Sequence, residues 1–162
     1  MTATKHQEVR PVPRLVLRTF WALHRALYRA TSGRIGARQP EQGAHFGMLR
    51  LHTVGRKSGQ ERIAMVGYFE DGPNLVTLAM NGWDKAEPAW WLNLKANAEA
   101  TVDAADGPRQ VQARAAVGAE RERLWATFPD YPGWGSDLRA LTALRPGETA
   151  IVVLEPTAGP EQ

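Results

Sequence analysis

From residue 45 to residue 156 the chain is cut into strand-length pieces by turn residues, and this punctuation limits the fold more than any other feature. Residues 45–54 read as a strand, as do 62–70 ("RIAMVGYFE") and 75–80 ("LVTLAM"), and "DGPN" at 71–74 joins the last two as a hairpin. "ATVDAAD" and "RQVQARAAV" flank a second "DGP" turn, and "AIVVLE" at 150–155 supplies a closing strand. Two short helices interrupt the series. Residues 88–96 ("PAWWLNLKA") open with a proline suited to a first helical turn, and "GAERERLWATF" turns Leu124, Trp125 and Phe128 inward. Crossovers of the βαβ kind are missing. The pattern therefore predicts a mainly β fold with α insertions, a small barrel of about six antiparallel strands.

Ahead of the barrel, residues 12–31 place Val12, Leu15, Val16, Phe20, Leu23, Leu27 and Ala30 at three- and four-residue steps, with Arg14, Arg18, Arg25 and Arg29 on another face. This predicts an amphipathic basic helix, stopped near Gly33, that either packs on its own domain or lies on an anionic membrane surface. The expected organisation is a basic arm and helix over 1–40, one barrel domain over 41–156 and a polar tail over 157–162. A length of 162 residues suffices for a single core. No apolar run reaches the roughly 18 residues of a membrane span. The opening "MTATKHQEVRPVPR" lacks the apolar core of a secretory signal, so a soluble, cytoplasmic protein is expected, with the basic helix as its one candidate contact to the inner membrane face.

Several kinds of chemistry are excluded. The absence of cysteine removes disulfides, thiolate metal sites, iron–sulfur clusters and cysteine nucleophiles. His6, His24, His45 and His52 do not fall at H-x-x-x-H or H-x-H spacing, so no metal site is expected. "GWGSDL" lacks the third glycine of a dinucleotide fingerprint, "GRKSG" lacks the Walker spacing, and no G-x-S-x-G elbow occurs.

Charge is uneven. Residues 1–62 carry twelve Lys and Arg against three Asp and Glu, a net +9, and the rest carries eight against fourteen, a net −6. Within the basic part, "HTVGRKSGQER" at 52–62 sets Arg56, Lys57 and Arg62 around Ser58, Gly55 and Gly59, a composition that suits a phosphate or several carboxylates or, alternatively, a solvated hairpin tip. "NGWDKAEPAWWLNL" at 81–94 gathers Trp83, Trp90 and Trp91, which can wall a slot for a flat heterocycle whose polar edge Asn81 or Asn93 could bond. One of Trp90 and Trp91 is expected to fill the core, because helical neighbours face different directions. "FPDYPGWGS" at 128–136 offers Tyr131 and Trp134 on a loop, where Tyr131 could donate a proton or hydrogen bond to a substrate oxygen or be merely an exposed aromatic.

In order, "HTVGRKSGQER", the "DG" hairpin, "AMNGWDKAEPAWWLNLKANAEATVD", "ARAAVGAERERLW" and "IVVLEP" resemble the deazaflavin-dependent nitroreductase family, also described as F420H2-dependent quinone reductases. The resemblance covers roughly residues 45–156 and implies a split β-barrel that binds coenzyme F420, an 8-hydroxy-5-deazaflavin with a polyglutamate tail. It assigns the coenzyme's phosphate and anionic tail to Arg56, Lys57, Ser58 and Gly59, with Gln60 and Arg62 alongside. Ala64, Met65 and Val66 would line the deazaflavin, where relatives commonly show a proline–leucine pair. Ala79, Met80, Asn81 and Gly82, together with Pro88, Ala89, Trp90 and Trp91, would complete the site, and Tyr131 would stand on the substrate side. The implied reaction is hydride transfer from reduced F420 to a quinone, enone or nitro compound. The alternatives are an FMN-dependent oxidoreductase on the same barrel and a non-catalytic module that binds a cofactor or nucleic acid. The last sits poorly with tryptophans that lie in the acidic half, and no nucleic-acid partner is expected.

Overall fold

A computed structural model describes residues 36–81, 86–134, 138–143 and 147–157. Six strands follow one another as β1 (Gly47–Val54), β2 (Glu61–Asp71), β3 (Asn74–Leu78), β4 (Glu99–Ala104), β5 (Gly107–Ala115) and β6 (Ile151–Pro156). They close into an antiparallel barrel in the order β1-β2-β3-β6-β5-β4. Helix α1 (Ala89–Ala96) joins β3 to β4, and α2 (Gly118–Thr127), a 3-10 turn (Phe128–Asp130) and α3 (Leu138–Ala143) lie between β5 and β6. The expected basic helix over 12–31 and all but Thr157 of the expected tail lie outside the described residues.

Alternation accounts for β1, whose Leu49, Leu51 and Thr53 are buried while Met48, Arg50 and His52 are only half-buried. β3 and β6 break that pattern because both of their faces are covered. Leu75 and Leu154 join the barrel interior with Leu49, Leu51, Tyr68 and Val102, whereas Val76, Ile151 and Val153 pack outward against Phe69, Leu124 and Phe128 beneath α2. Continuous apolar runs such as "NLVTL" and "IVVL" are what two-sided burial requires.

The hairpins follow their turn residues. Asp71 pairs with Asn74 around Gly72 and Pro73, with Gly72 at φ +60°. In the second, Ala104 pairs with Gly107, so the turn centres on Ala105 and Asp106, one residue before the "GP" that marks it in the sequence. Helix α3 was not foreseen, since prolines and glycines flank its six residues. Both Trp90 and Trp91 are buried, 9% and 6% exposed, which corrects the expectation of one buried indole. The helix is short and rests against β1 and β2, burying Trp90, Trp91, Asn93 and Leu94 rather than a single stripe.

Candidate functional site

The β1–β2 connection is a tight cationic bend. Thr53 and Val54 pair with Arg62 and Glu61, and within the loop the Gly55 N–H donates to Gln60 O (2.8 Å) and the Gly59 N–H to Gly55 O (2.7 Å). Gly59 sits at φ +67°, a conformation that side-chain-bearing residues rarely adopt. Ser58 Oγ accepts from the Gln60 N–H and from Arg62 Nη2, each at 3.3 Å, which leaves its own proton for an outside acceptor.

The cations of this bend stand apart from the rest. Arg50, Lys95, Arg109, Arg114, Arg121 and Arg123 each meet a carboxylate, and Arg38 donates to the Phe46 carbonyl at 2.9 Å. Among the described residues Arg56, Lys57 and Arg62 have no such carboxylate partner and are exposed. Glu61, adjacent in sequence, is turned instead to His52 Nδ1 at 3.0 Å, and His52 Nε2 lies 3.1 Å from Asp103. Exposed like charges held together without counter-ions repel one another, a cost that a polyanion removes.

Asn93 ties this bend to α1. Its Oδ1 accepts from the Arg56 backbone N–H (3.1 Å) and, at 3.5 Å, from Arg56 Nη1, while Nδ2 donates to Thr53 Oγ1 (3.1 Å), which in turn donates to Arg62 O (3.4 Å). Asn93 and Thr53 are 4% and 3% exposed. The amide is therefore used up inside the protein and is not left to bond a heterocycle. The two sequence motifs meet through one side chain.

Along β2 from Arg62, at about 3.3 Å per residue, Met65 is roughly 10 Å away and Gly67 roughly 17 Å. There a cavity of about 210 Å³ opens, lined by Met65, Val66, Gly67, Thr77, Leu78, Met80, Trp90, Gly133 and Trp134. Five of these were singled out in the sequence: Met65, Val66, Met80, Trp90 and, as a loop aromatic, Trp134. Ala64 is half-buried against the barrel core and Ala79 lies in it, its N–H donating to Ala150 O. Asn81 and Ala89 are exposed and Pro88 is buried, while Gly82 and Trp83 lie outside the described residues. Tyr131 is not on the cavity wall. Its ring stacks on Phe69 at 5.2 Å and 11°, and burial, with Glu70 and Asp130 nearby, pushes its phenol above the ordinary value.

The cavity gains Thr77, which sequence reasoning did not single out, and Trp134, which it read only as a loop aromatic. The signal for Thr77 was a single hydroxyl inside the apolar run "LVTLAM"; for Trp134 only tertiary packing decides. Among the described residues no group of three or more His, Cys, Asp or Glu could hold a metal ion, and no helix is long and apolar enough to cross a membrane.

Comparison with known proteins identifies the family and the fold. A quinone reductase of Mycobacterium tuberculosis strain H37Rv, named as F420H(2)-dependent, is 42% identical over 109 residues. That match covers 67% of this chain and 66% of the relative's length. Among solved structures, an F420-H2 dependent reductase superposes with a TM-score of 0.58 at 25% identity, covering 67% of this chain and 93% of that one. A second, described as a domain-swapped dimer, shares the fold with a TM-score of 0.61 at 23% identity, over 85% of this chain and 99% of that one. With the family model matching residues 21–156, the chain belongs to the F420H(2)-dependent quinone reductase family.

Proposed function

We propose that this chain reduces quinones with coenzyme F420, holding the coenzyme's phosphate and glutamate tail on Arg56, Lys57, Ser58, Gly59, Gln60 and Arg62. The observation that carries the reading is a bend of cations without carboxylate partners that leads, along one strand, to an apolar cavity. The donor set suits the group: a phosphodiester and several carboxylates ask for charge-assisted donors, and a flat ring asks for Ala64, Met65 and Val66 on one side and Trp90 on the other. When bound, the reduced ring supplies a hydride. The chain's part is to orient the two reactants, to keep water from the cavity and to stabilise charge on the acceptor oxygen. A mononucleotide flavin would call on fewer of these cations.

Enones and nitro compounds share the flat, electron-poor character of quinones and are secondary acceptors in this reading. Quinones partition into lipid, and the arginine-rich sequence before residue 36 would favour an anionic membrane surface.

The test uses the double variant Arg56→Ala/Lys57→Ala, titrated with F420 and with the tail-less deazaflavin riboside. Losing two charge-assisted contacts of about 1.5–3 kcal/mol each weakens F420 by at least about a hundredfold, while the riboside is unaffected. Both side chains are exposed, so the melting temperature stays near that of the parent. Equal affinity of parent and variant for F420 would reject the site assignment.

A further inference from the structure

We propose that His52 is a positioning residue for the coenzyme's anionic tail: its doubly protonated ring holds and neutralises Glu61, the carboxylate beside the cationic bend, and tail binding weakens when the ring loses its second proton. This rests on the reading of the bend as the tail site.

His52 stands near the end of β1, with Ile63 of β2 and Thr101 of β4 as its cross-strand neighbours. Its Nδ1 is 3.0 Å from Glu61 Oε1 on β2, and its Nε2 is 3.1 Å from Asp103 Oδ2 on β4. The same Asp103 oxygen accepts from Arg50 Nη2. An ionised carboxylate only accepts, and a neutral imidazole has a single N–H, so both contacts are hydrogen bonds only when the ring carries two protons. The His52 side chain is 18% exposed and is gripped from two strands. The Glu61 side chain is 67% exposed, and among the described residues His52 alone restrains it.

The place of Glu61 gives this contact its consequence. Arg62 Nη1 donates to the Glu61 carbonyl at 3.4 Å and Nη2 to Ser58 Oγ at 3.3 Å, so the guanidinium lies along the backbone that carries the Glu61 side chain. Gly59, in the bend itself, lines one groove of about 360 Å³ with His52, Val54, Glu61 and Glu99. The charged groups facing the ring are therefore Glu61 from β2, Asp103 and Glu99 from β4, and Arg50 from its own strand.

With two protons on the ring, Arg50, Asp103, His52 and Glu61 form a chain of alternating sign whose charges cancel. With one, the chain is net negative and Glu99 adds to it. The released Glu61 carboxylate then becomes a counter-ion for Arg62, in competition with the tail. Binding must first displace it, which lowers the apparent affinity and leaves the shape of the site unchanged.

The test titrates the full chain with F420 and with the tail-less deazaflavin riboside, which shares the ring but not the anionic tail, from about pH 5 to about pH 8. Nitrogen NMR of the imidazole follows the protons of His52 over the same range. The parent's preference for F420 over the riboside should fall about two- to fivefold as the ring titrates, the scale of a partly exposed ion pair. His52→Gln, which keeps a hydrogen-bonding amide but not the charge, should show the lowered preference at every pH. Adding Glu61→Gln to it should restore the parent's acid-side value, with melting temperatures moved by no more than about 4 °C. A ring with one proton at the acid end, a flat preference while the ring titrates, or an unaltered preference in His52→Gln overturns the proposal. So does a double variant that is not restored, which marks a merely structural role. In each of these cases the parent still prefers F420; a parent that binds both ligands equally rejects the bend as the tail site, and the proposal with it.

Discussion

Asn93 is where loop geometry and helix position are coupled, and its replacement gives the sharpest quantitative test. Asn93→Leu keeps the branched shape and removes the amide. The contact to Arg56 Nη1 is at the limit of a hydrogen bond, 3.5 Å, and is left out of the sum. Two contacts remain, the Arg56 N–H to Oδ1 and Nδ2 to Thr53 Oγ1, both 3.1 Å. Thr53 is buried and loses a donor; the Arg56 N–H loses its acceptor at a partly buried site. At about 1–2 kcal/mol each, the fold loses about 2–4 kcal/mol. For a chain of this size that lowers the melting temperature by about 4–16 °C. The loop is then no longer held against α1, so F420 should bind at least about tenfold more weakly while the tail-less riboside, which does not use the loop, keeps its affinity. Calorimetry gives the first quantity and fluorescence titration the second. An unchanged melting temperature, or an equal loss for both ligands, would refute the reasoning.

Gly67→Ala places a methyl group 3.0 Å from the Trp134 and Phe46 rings, so we expect a loss of about 1–3 kcal/mol; a parental melting temperature in calorimetry would show that the indole is not seated on β2. Asp71 is held below the usual carboxylate range by its hydrogen bonds from Arg123, at 2.7 and 2.8 Å. A depressed folded value means that this stabilisation is present above the unfolded pKa, about 4, and is lost as pH falls through the folded one. Acid melting curves of Asp71→Asn should therefore decline less steeply than those of the parent. Burial pushes the Tyr68 phenol up to about 12, with Glu70 and Asp106 adding to the effect. Its contribution is present below the unfolded value of about 10 and is lost as pH rises through the folded one. Tyr68→Phe should flatten the alkaline loss and, with an unpartnered hydroxyl gone, should melt no earlier than the parent at neutral pH.

What the sequence by itself determined was local. Turn residues and strand-length segments predicted six antiparallel strands and two of the helices, because hairpin connections and the short apolar period are properties of neighbouring residues. The cationic bend was legible for the same reason, since Arg56, Lys57, Ser58 and Gly59 adjoin one another. Tertiary structure decided the rest. Whether those cations are paired depends on carboxylates distant in the chain, and Glu61 could be assigned to His52 only once β1 and β2 were in register. Trp91 is buried with Trp90 because a short helix rests on two strands at once, which helical periodicity alone does not reveal. Asn93 and Thr53 are 40 residues apart, and Thr77 and Trp134 come to one cavity from β3 and from the turn before α3. Barrel closure brings such residues together, and a contact between chain-distant side chains leaves no period in the sequence by which to find it.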